Sequence, residues 1–156
     1  MGRVTMAARK PHILRKLRTT LHRRMAGMRR TYLRQVWGMH IGRGARISLK
    51  AKLDFTNPRG IYIGDFTIVT PLVQIFSHDF VRAQHVDTRI GSYSFIGAGS
   101  LILPGVNVGD HCIVAAGSVV TADVADRTIV AGNPARPIKS GIRTGHYGML
   151  VGPTVI

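Results

Sequence analysis

Residues 90–120 read IGSYSF IGAGSL ILPGVN VGDHCI VAAGSV V when broken every sixth position. Six aliphatic residues open these blocks: Ile90, Ile96, Ile102, Val108, Val114 and Val120. A period of six is neither the 2 of an ordinary strand nor the 3.6 of a helix. The slot four residues after each anchor holds Ser94, Ser100, Val106, Cys112, Ser118 and Val124, all small or β-branched. Glycine follows the anchor at Gly91, Gly97 and Gly109. One apolar and one small residue per six describes a coil that turns a corner every six residues. Three sides close one coil in about eighteen residues, and coils stack at roughly the 4.8 Å inter-strand spacing. Each coil buries its apolar edge only against its neighbours, as in a solenoid.

The same register runs upstream through Ile41, Ile47 and Leu53, with Ala45 and Ala51 in the small slot. An insertion at 56–60, with Asn57-Pro58 and Gly60 as turn signals, breaks the phase. The beat resumes at Ile63, Val69 and Ile75, stops over a polar stretch from Ser77 to Arg89, and restarts at Ile90. The array thus spans residues 41–131, roughly five coils. It predicts an all-β, β-solenoid domain over residues 39–139, preceded by a helical arm (1–38) and followed by a Gly-rich tail (140–156). The tail either caps the last coil, whose open edge needs cover, or is mobile.

The charge is uneven. Residues 1–53 hold fifteen Lys and Arg and no acidic residue, while 54–156 hold seven of each sign. The net +15 therefore belongs to the N-terminal third, and the solenoid is not a basic nucleic-acid surface. A single cysteine, Cys112, rules out an internal disulfide framework and falls in a buried packing slot. No apolar run approaches the ~18 residues of a membrane span, and the N-terminus lacks a signal-like apolar core. These features point to a cytoplasmic protein. In the arm, Leu14, Leu17, Leu21, Met25, Met28, Tyr32 and Val36 form one stripe at spacings of three and four. Eight arginines and lysines between Arg15 and Arg34 occupy the other faces. Three uses fit this pattern: packing of the stripe on the solenoid or a sister subunit, peripheral contact with an anionic membrane (the inner face, for a cytoplasmic protein), or nucleic-acid binding. The third lacks a recognisable motif or interleaved aromatics.

Several stretches resemble the hexapeptide-repeat acyltransferases: Ile63-Gly64-Asp65, Ser77-His78-Asp79, Ile96-Gly97-Ala98-Gly99-Ser100, Ala116-Gly117-Ser118 and, above all, Asn133-Pro134-Ala135-Arg136-Pro137-Ile138-Lys139. The resemblance covers residues 41–139 and is greatest toward the sugar and polysaccharide O-acetyltransferases. It implies a left-handed parallel β-helix, a homotrimer, and acetyl transfer from acetyl-CoA to a hydroxyl of a sugar or polysaccharide precursor. A non-catalytic scaffold that binds membranes or assemblies through its basic arm is the alternative. An amine or amino-acid hydroxyl acceptor is a lesser one.

Attack of a hydroxyl on a thioester needs a base, and histidine suits because its ordinary pKa lies near neutral pH. His78 sits where the repeat is interrupted and matches the catalytic histidine of the resembled family. Asp79 is its neighbour and a candidate catalytic partner. A carboxylate from an earlier coil, Asp54 or Asp65, is as plausible an orienting group, and both are also candidates for substrate binding. His85 is a candidate to line the acceptor pocket, whereas His111 falls in an outward slot and is expected to be solvated. By resemblance, Ala98, Ala116 and Thr121 would line acetyl-CoA, and Arg136 and Lys139 would meet its phosphates or adenine end. Ala122 stands where relatives often carry a lysine, so one phosphate contact is missing or supplied elsewhere. No metal is expected: a zinc enzyme on the same β-helix, of the gamma-type carbonic anhydrase kind, would need a histidine pair five apart, which this chain lacks.

Overall fold

The six-residue beat becomes three parallel sheets, one for each side of a stacked coil. The computed structural model describes residues 25 and 27–152. The first coil holds β1 (His40–Ile41), β2 (Arg46–Ile47) and β3 (Lys52–Leu53). The second holds β4 (Ile61–Ile63), β5 (Ile68–Val69) and β6 (Gln74–Ile75). A hairpin, β7 (His78–Asp79) and β8 (Gln84–His85), leaves the wall before the third coil, β9 (Thr88–Ile90), β10 (Phe95–Ile96) and β11 (Leu101–Ile102). The fourth coil is β12 (Asn107–Val108), β13 (Ile113–Val114) and β14 (Val119–Val120). A partial fifth coil ends in an antiparallel pair, β15 (Ile129–Gly132) and β16 (Ala135–Lys139). The first sheet runs β1-β4-β9-β12, the second β2-β5-β10-β13-β15-β16, and the third β3-β6-β11-β14. Four full coils and part of a fifth match the repeat count.

Register follows the anchors. Ile90 pairs with Val108, Ile96 with Val114 and Ile102 with Val120, each eighteen positions on. Every anchor from Ile41 to Val120 is buried, as are the small-slot residues from Ala45 to Val124. These side chains form one narrow axial core, stabilised by roughly 25 cal/mol per Å² of apolar surface removed from water. Cys112 lies in that core and its thiol meets the carbonyl of Ala125 at 3.1 Å. Burial pushes its pKa up, against thiolate chemistry.

Glycine after the anchor answers to close approach between coils. A Cβ on Gly97 would lie 2.5 Å from the amide nitrogen of Ala116 in the next coil. The first corner is held by a vertical chain of hydrogen bonds. The amide of Arg43 donates to Asp65 at 2.6 Å, that of Asp65 to the Ser92 hydroxyl at 3.1 Å, that of Ser92 to Asp110 at 2.5 Å, and that of Asp110 to Asp126 at 2.8 Å. The next residue of each coil turns with positive φ, at Phe66 (51°), Tyr93 (55°) and His111 (57°). A side chain is disfavoured there, and these rings stack: Phe66 on Tyr93 at 5.5 Å and Tyr93 on His111 at 5.1 Å.

The described part of the C-terminal tail, residues 140–152, does not sit over the open end. It runs back along that first corner. Ile142 bonds Arg127, the Thr144 hydroxyl donates to the Tyr93 carbonyl at 2.7 Å, and the Tyr147 amide donates to Phe66 at 2.7 Å. His146 stacks on Phe66 at 4.1 Å, and Arg46 covers Tyr147 at 3.9 Å. His111, expected to be solvated, is instead half-buried beneath this tail, with Nδ1 3.0 Å from the Thr144 hydroxyl.

Of the N-terminal arm, residues 27–35 are helical, and the chain leaves the helix through Gly38 at φ +69°. Residues 1–24 and 26, and with them the stripe positions Leu14, Leu17 and Leu21, lie outside the described residues. Leu33 enters the core, and the half-buried Arg29 guanidinium donates to the carbonyls of Ser48 and, at 2.8 Å, Ala51. Among the described residues no helix is long and apolar enough to cross a membrane.

Candidate active site

The corner between the third and first sheets carries both interruptions of the repeat. Leu53 pairs with Ile75, so the residues that follow them, Asp54 and the 76–78 segment, stack on adjacent coils. The Asp54 carboxylate is buried beneath His78. Its Oδ2 accepts the ring Nδ1–H of His78 and the backbone N–H groups of Ser77 and His78, both at 3.0 Å. Its Oδ1 accepts the amide of Thr56 at 2.8 Å. Burial alone would raise this carboxyl's pKa, but the hydrogen bonds from His78, Ser77 and Thr56 outweigh it and hold the pKa at about 2. Asp54 is therefore an acceptor only, which assigns a proton to His78 Nδ1 and turns Nε2 away from the carboxylate. The His78 side chain keeps 23% exposure, against 2% for Asp54, so the held ring still meets solvent. Phe76 packs edge-on to it at 6.4 Å.

Two residues that were not among the site candidates of the sequence brace this arrangement. Asn57, in the 56–60 insertion, donates to the carbonyl of Ser77 at 2.8 Å, and its own carbonyl accepts the Ser77 hydroxyl at 2.6 Å. Thr88 donates to the Phe76 carbonyl at 2.6 Å and accepts the Gly105 amide at 2.9 Å. Register arithmetic offered the signal for Asn57: both breaks follow third-sheet strands one coil apart.

The other candidates are distributed differently. Asp79 turns away from the His78 ring and organises the hairpin. It accepts the amides of Val81 and Arg82 and, at 2.6 Å, the Arg82 guanidinium. Arg82 above all holds the Asp79 carboxyl below its usual range. His85 is exposed and lies directly across the hairpin from His78. Asp65 belongs to the hydrogen-bonded chain of the first corner, between the first and second sheets, and is not brought to His78.

Ala98 and Ala116 stack at the corner between the second and third sheets, where the Gly117 amide donates to the Ala98 carbonyl at 2.9 Å. Both alanines are exposed, and a Cβ on Gly99 or Gly117 would meet nothing within 4 Å. This is an open edge that an extended molecule can approach closely. Thr121 follows β14 and shares the His78 corner, two coils further on. Ala98, Ala116 and Thr121 thus flank one face, the third sheet, with His78 at the same corner as Thr121. Arg136 is exposed on β16, just past the cis Asn133-Pro134 bond, and Lys139 closes the same strand against Ile129.

Comparisons with known proteins agree with this architecture. Residues 87–122 match the family model described as bacterial transferase hexapeptide (six repeats). The Bacillus subtilis protein YvoF is 36% identical over 111 residues, covering 70% of this chain and 62% of that protein. The galactoside O-acetyltransferase of Escherichia coli K12 is 31% identical over 121 residues, covering 70% of this chain and 58% of that one. The match therefore spans about three fifths of these relatives' own length. The crystal structure of a maltose O-acetyltransferase from Clostridium difficile 630 superposes with a TM-score of 0.59 at 25% identity, covering 83% of this chain and 89% of that one.

Proposed function

Because the chain belongs to the hexapeptide-repeat acetyltransferase family, we propose that it transfers an acetyl group from acetyl-CoA to a hydroxyl of a sugar or glycan precursor, with His78 as the base. The observation that carries this reading is the buried Asp54 carboxylate beneath the partly exposed His78 ring. His78 Nε2 takes the acceptor's proton as the hydroxyl oxygen bonds to the thioester carbonyl carbon. As the carbon–sulfur bond breaks, the imidazolium returns that proton to the leaving thiolate. Asp54 keeps Nδ1 protonated and stabilises the charge that appears on the ring between these events. No covalent enzyme intermediate is needed, since Cys112 is buried in the core.

The edge formed by Ala98, Gly99, Ala116 and Gly117 suits the pantetheine arm of the donor, because small side chains let it reach the backbone. Arg136 and Lys139 at the end of the coil are the candidate phosphate contacts, and Thr121 lies toward the acetyl end. His85, beside His78, is a candidate for the acceptor side. Assembly as a homotrimer belongs to the same proposal, and light scattering checks it. The central test replaces His78 with Ala and measures CoA release with maltose, a galactoside and a simple amine as acceptors. General-base catalysis contributes about 10²–10⁴-fold, so kcat should fall at least a hundredfold in protein that melts normally. Unchanged turnover would remove His78 from the chemistry.

A further inference from the structure

Among the described residues, the N-terminal helix docks by one edge. Leu33 and Arg29 face the first coil, while Met28, Tyr32 and Val36, spaced four apart, are 66%, 50% and 64% exposed. Most of the described apolar stripe is thus not what packs on the solenoid. It continues onto the first coil, where Leu49 and Phe55 are 58% and 45% exposed and share an apolar groove with Met28 and Tyr32. Lys50 and Lys52 are exposed beside Leu49, and Arg30 lines a shallow hollow with Met28, Tyr32 and Val36.

We propose that this surface, Met28, Tyr32 and Val36 with Leu49 and Phe55, seats on an anionic lipid bilayer. Charge complementarity favours this occupant. All of this surface but Phe55 belongs to the 53-residue N-terminal segment that holds fifteen of the 22 Lys and Arg and no acidic residue. A second copy seated here would oppose cation to cation. A nucleic acid would match the charge but has no use for a stripe of Met, Tyr and Val at helical spacing. A membrane interface uses both: the apolar face enters the headgroup boundary, and Lys and Arg meet anionic headgroups. Phe55 adjoins Asp54, so the bilayer would lie next to His78. If the proposed transfer chemistry is right, that geometry suits an acceptor carried on lipid. The binding itself does not depend on that chemistry.

The test is co-sedimentation of the full chain with vesicles of pure phosphatidylcholine and of phosphatidylcholine with phosphatidylglycerol. Binding to the anionic vesicles alone, weakened by salt, is expected. A triple variant, Met28→Gln, Tyr32→Gln and Val36→Gln, leaves Leu33 and Arg29 in place and should lower partitioning at least tenfold. Lys50→Gln with Lys52→Gln is an independent arm on the coil, expected to lower it about tenfold. Light scattering and binding to a short single-stranded RNA are measured in parallel. Vesicle binding unaffected by either variant overturns the proposal. So does a triple variant that changes the oligomeric mass, which makes the stripe a contact between copies. RNA binding lost in step with vesicle binding also overturns it.

Discussion

Replacing Asp54 by Asn tests the candidate site at the atom that organises it. The carboxylate serves four donors: the His78 ring, the amides of Ser77 and His78 on Oδ2, and the Thr56 amide on Oδ1. An asparagine that keeps its oxygen toward His78 retains the first three and turns its NH2 toward the Thr56 N–H. One lost acceptor should cost about 1–3 kcal/mol of stability. The charge is lost as well, so the His78 hydrogen bond becomes neutral. Charged hydrogen bonds contribute roughly 1–2 kcal/mol more than neutral ones, and that difference falls on the step in which the ring becomes cationic. It predicts a kcat roughly 5- to 30-fold lower, with KM for acetyl-CoA little changed. Asp54→Ala also releases the ring orientation and should approach the ~10²–10⁴-fold loss expected on removing the base. The assay is thiol release from acetyl-CoA across pH 5–9, roughly bracketing the ordinary histidine range, with melting curves to show that each variant is folded. If Asp54→Ala stays within about threefold of the parent at every pH, the carboxylate has no part in transfer, and the geometry beneath His78 is structural only.

Two further outcomes follow from the same residues. The Asp54 pKa is lowered in the fold to about 2 from an ordinary 3.8, so its stabilising contribution is complete above pH 4 and disappears as pH falls toward 2. That loss, about 2 kcal/mol, should appear in acid denaturation of the parent and be absent from Asp54→Asn. Gly97→Ala places a Cβ 2.5 Å from the Ala116 amide nitrogen and should destabilise the protein by about 1–3 kcal/mol in urea titration. A melting temperature equal to the parent's would mean that the coil spacing yields there without cost.

How much of this the sequence could carry depends on what each slot sees. Anchor and small-slot residues face an environment repeated in every coil, so their identity reports the fold locally. Ile90, Ile96 and Ile102 specify a period without reference to anything distant. The corner residues see something else. Phe66, Tyr93 and His111 occupy the same slot three positions after an anchor, at positive φ, and make sense only as a stack of rings. No one of them signals that alone, which is why His111 reads as solvated until the tail is laid over it. The tail itself has no period, because it packs on five different coils rather than on copies of itself.

The candidate site combines both kinds of information. His78 can be found because it stands where the beat stops, yet its partner depends on which corner each break occupies. Asp79 is nearest in sequence, but adjacent residues on a strand point to opposite faces, and its carboxylate closes on Arg82 instead. Asp54 is twenty-four positions away and lies directly beneath, because the second coil absorbs the 56–60 insertion before reaching the same corner. That insertion also supplies Asn57, which fixes Ser77 from below. The two breaks in the repeat are thus a single device. The first shapes a polar socket in one coil, and the second sets a histidine into it from the next. Lengthening or shortening the 56–60 segment should disable His78 while leaving the axial core of Ile and Val untouched.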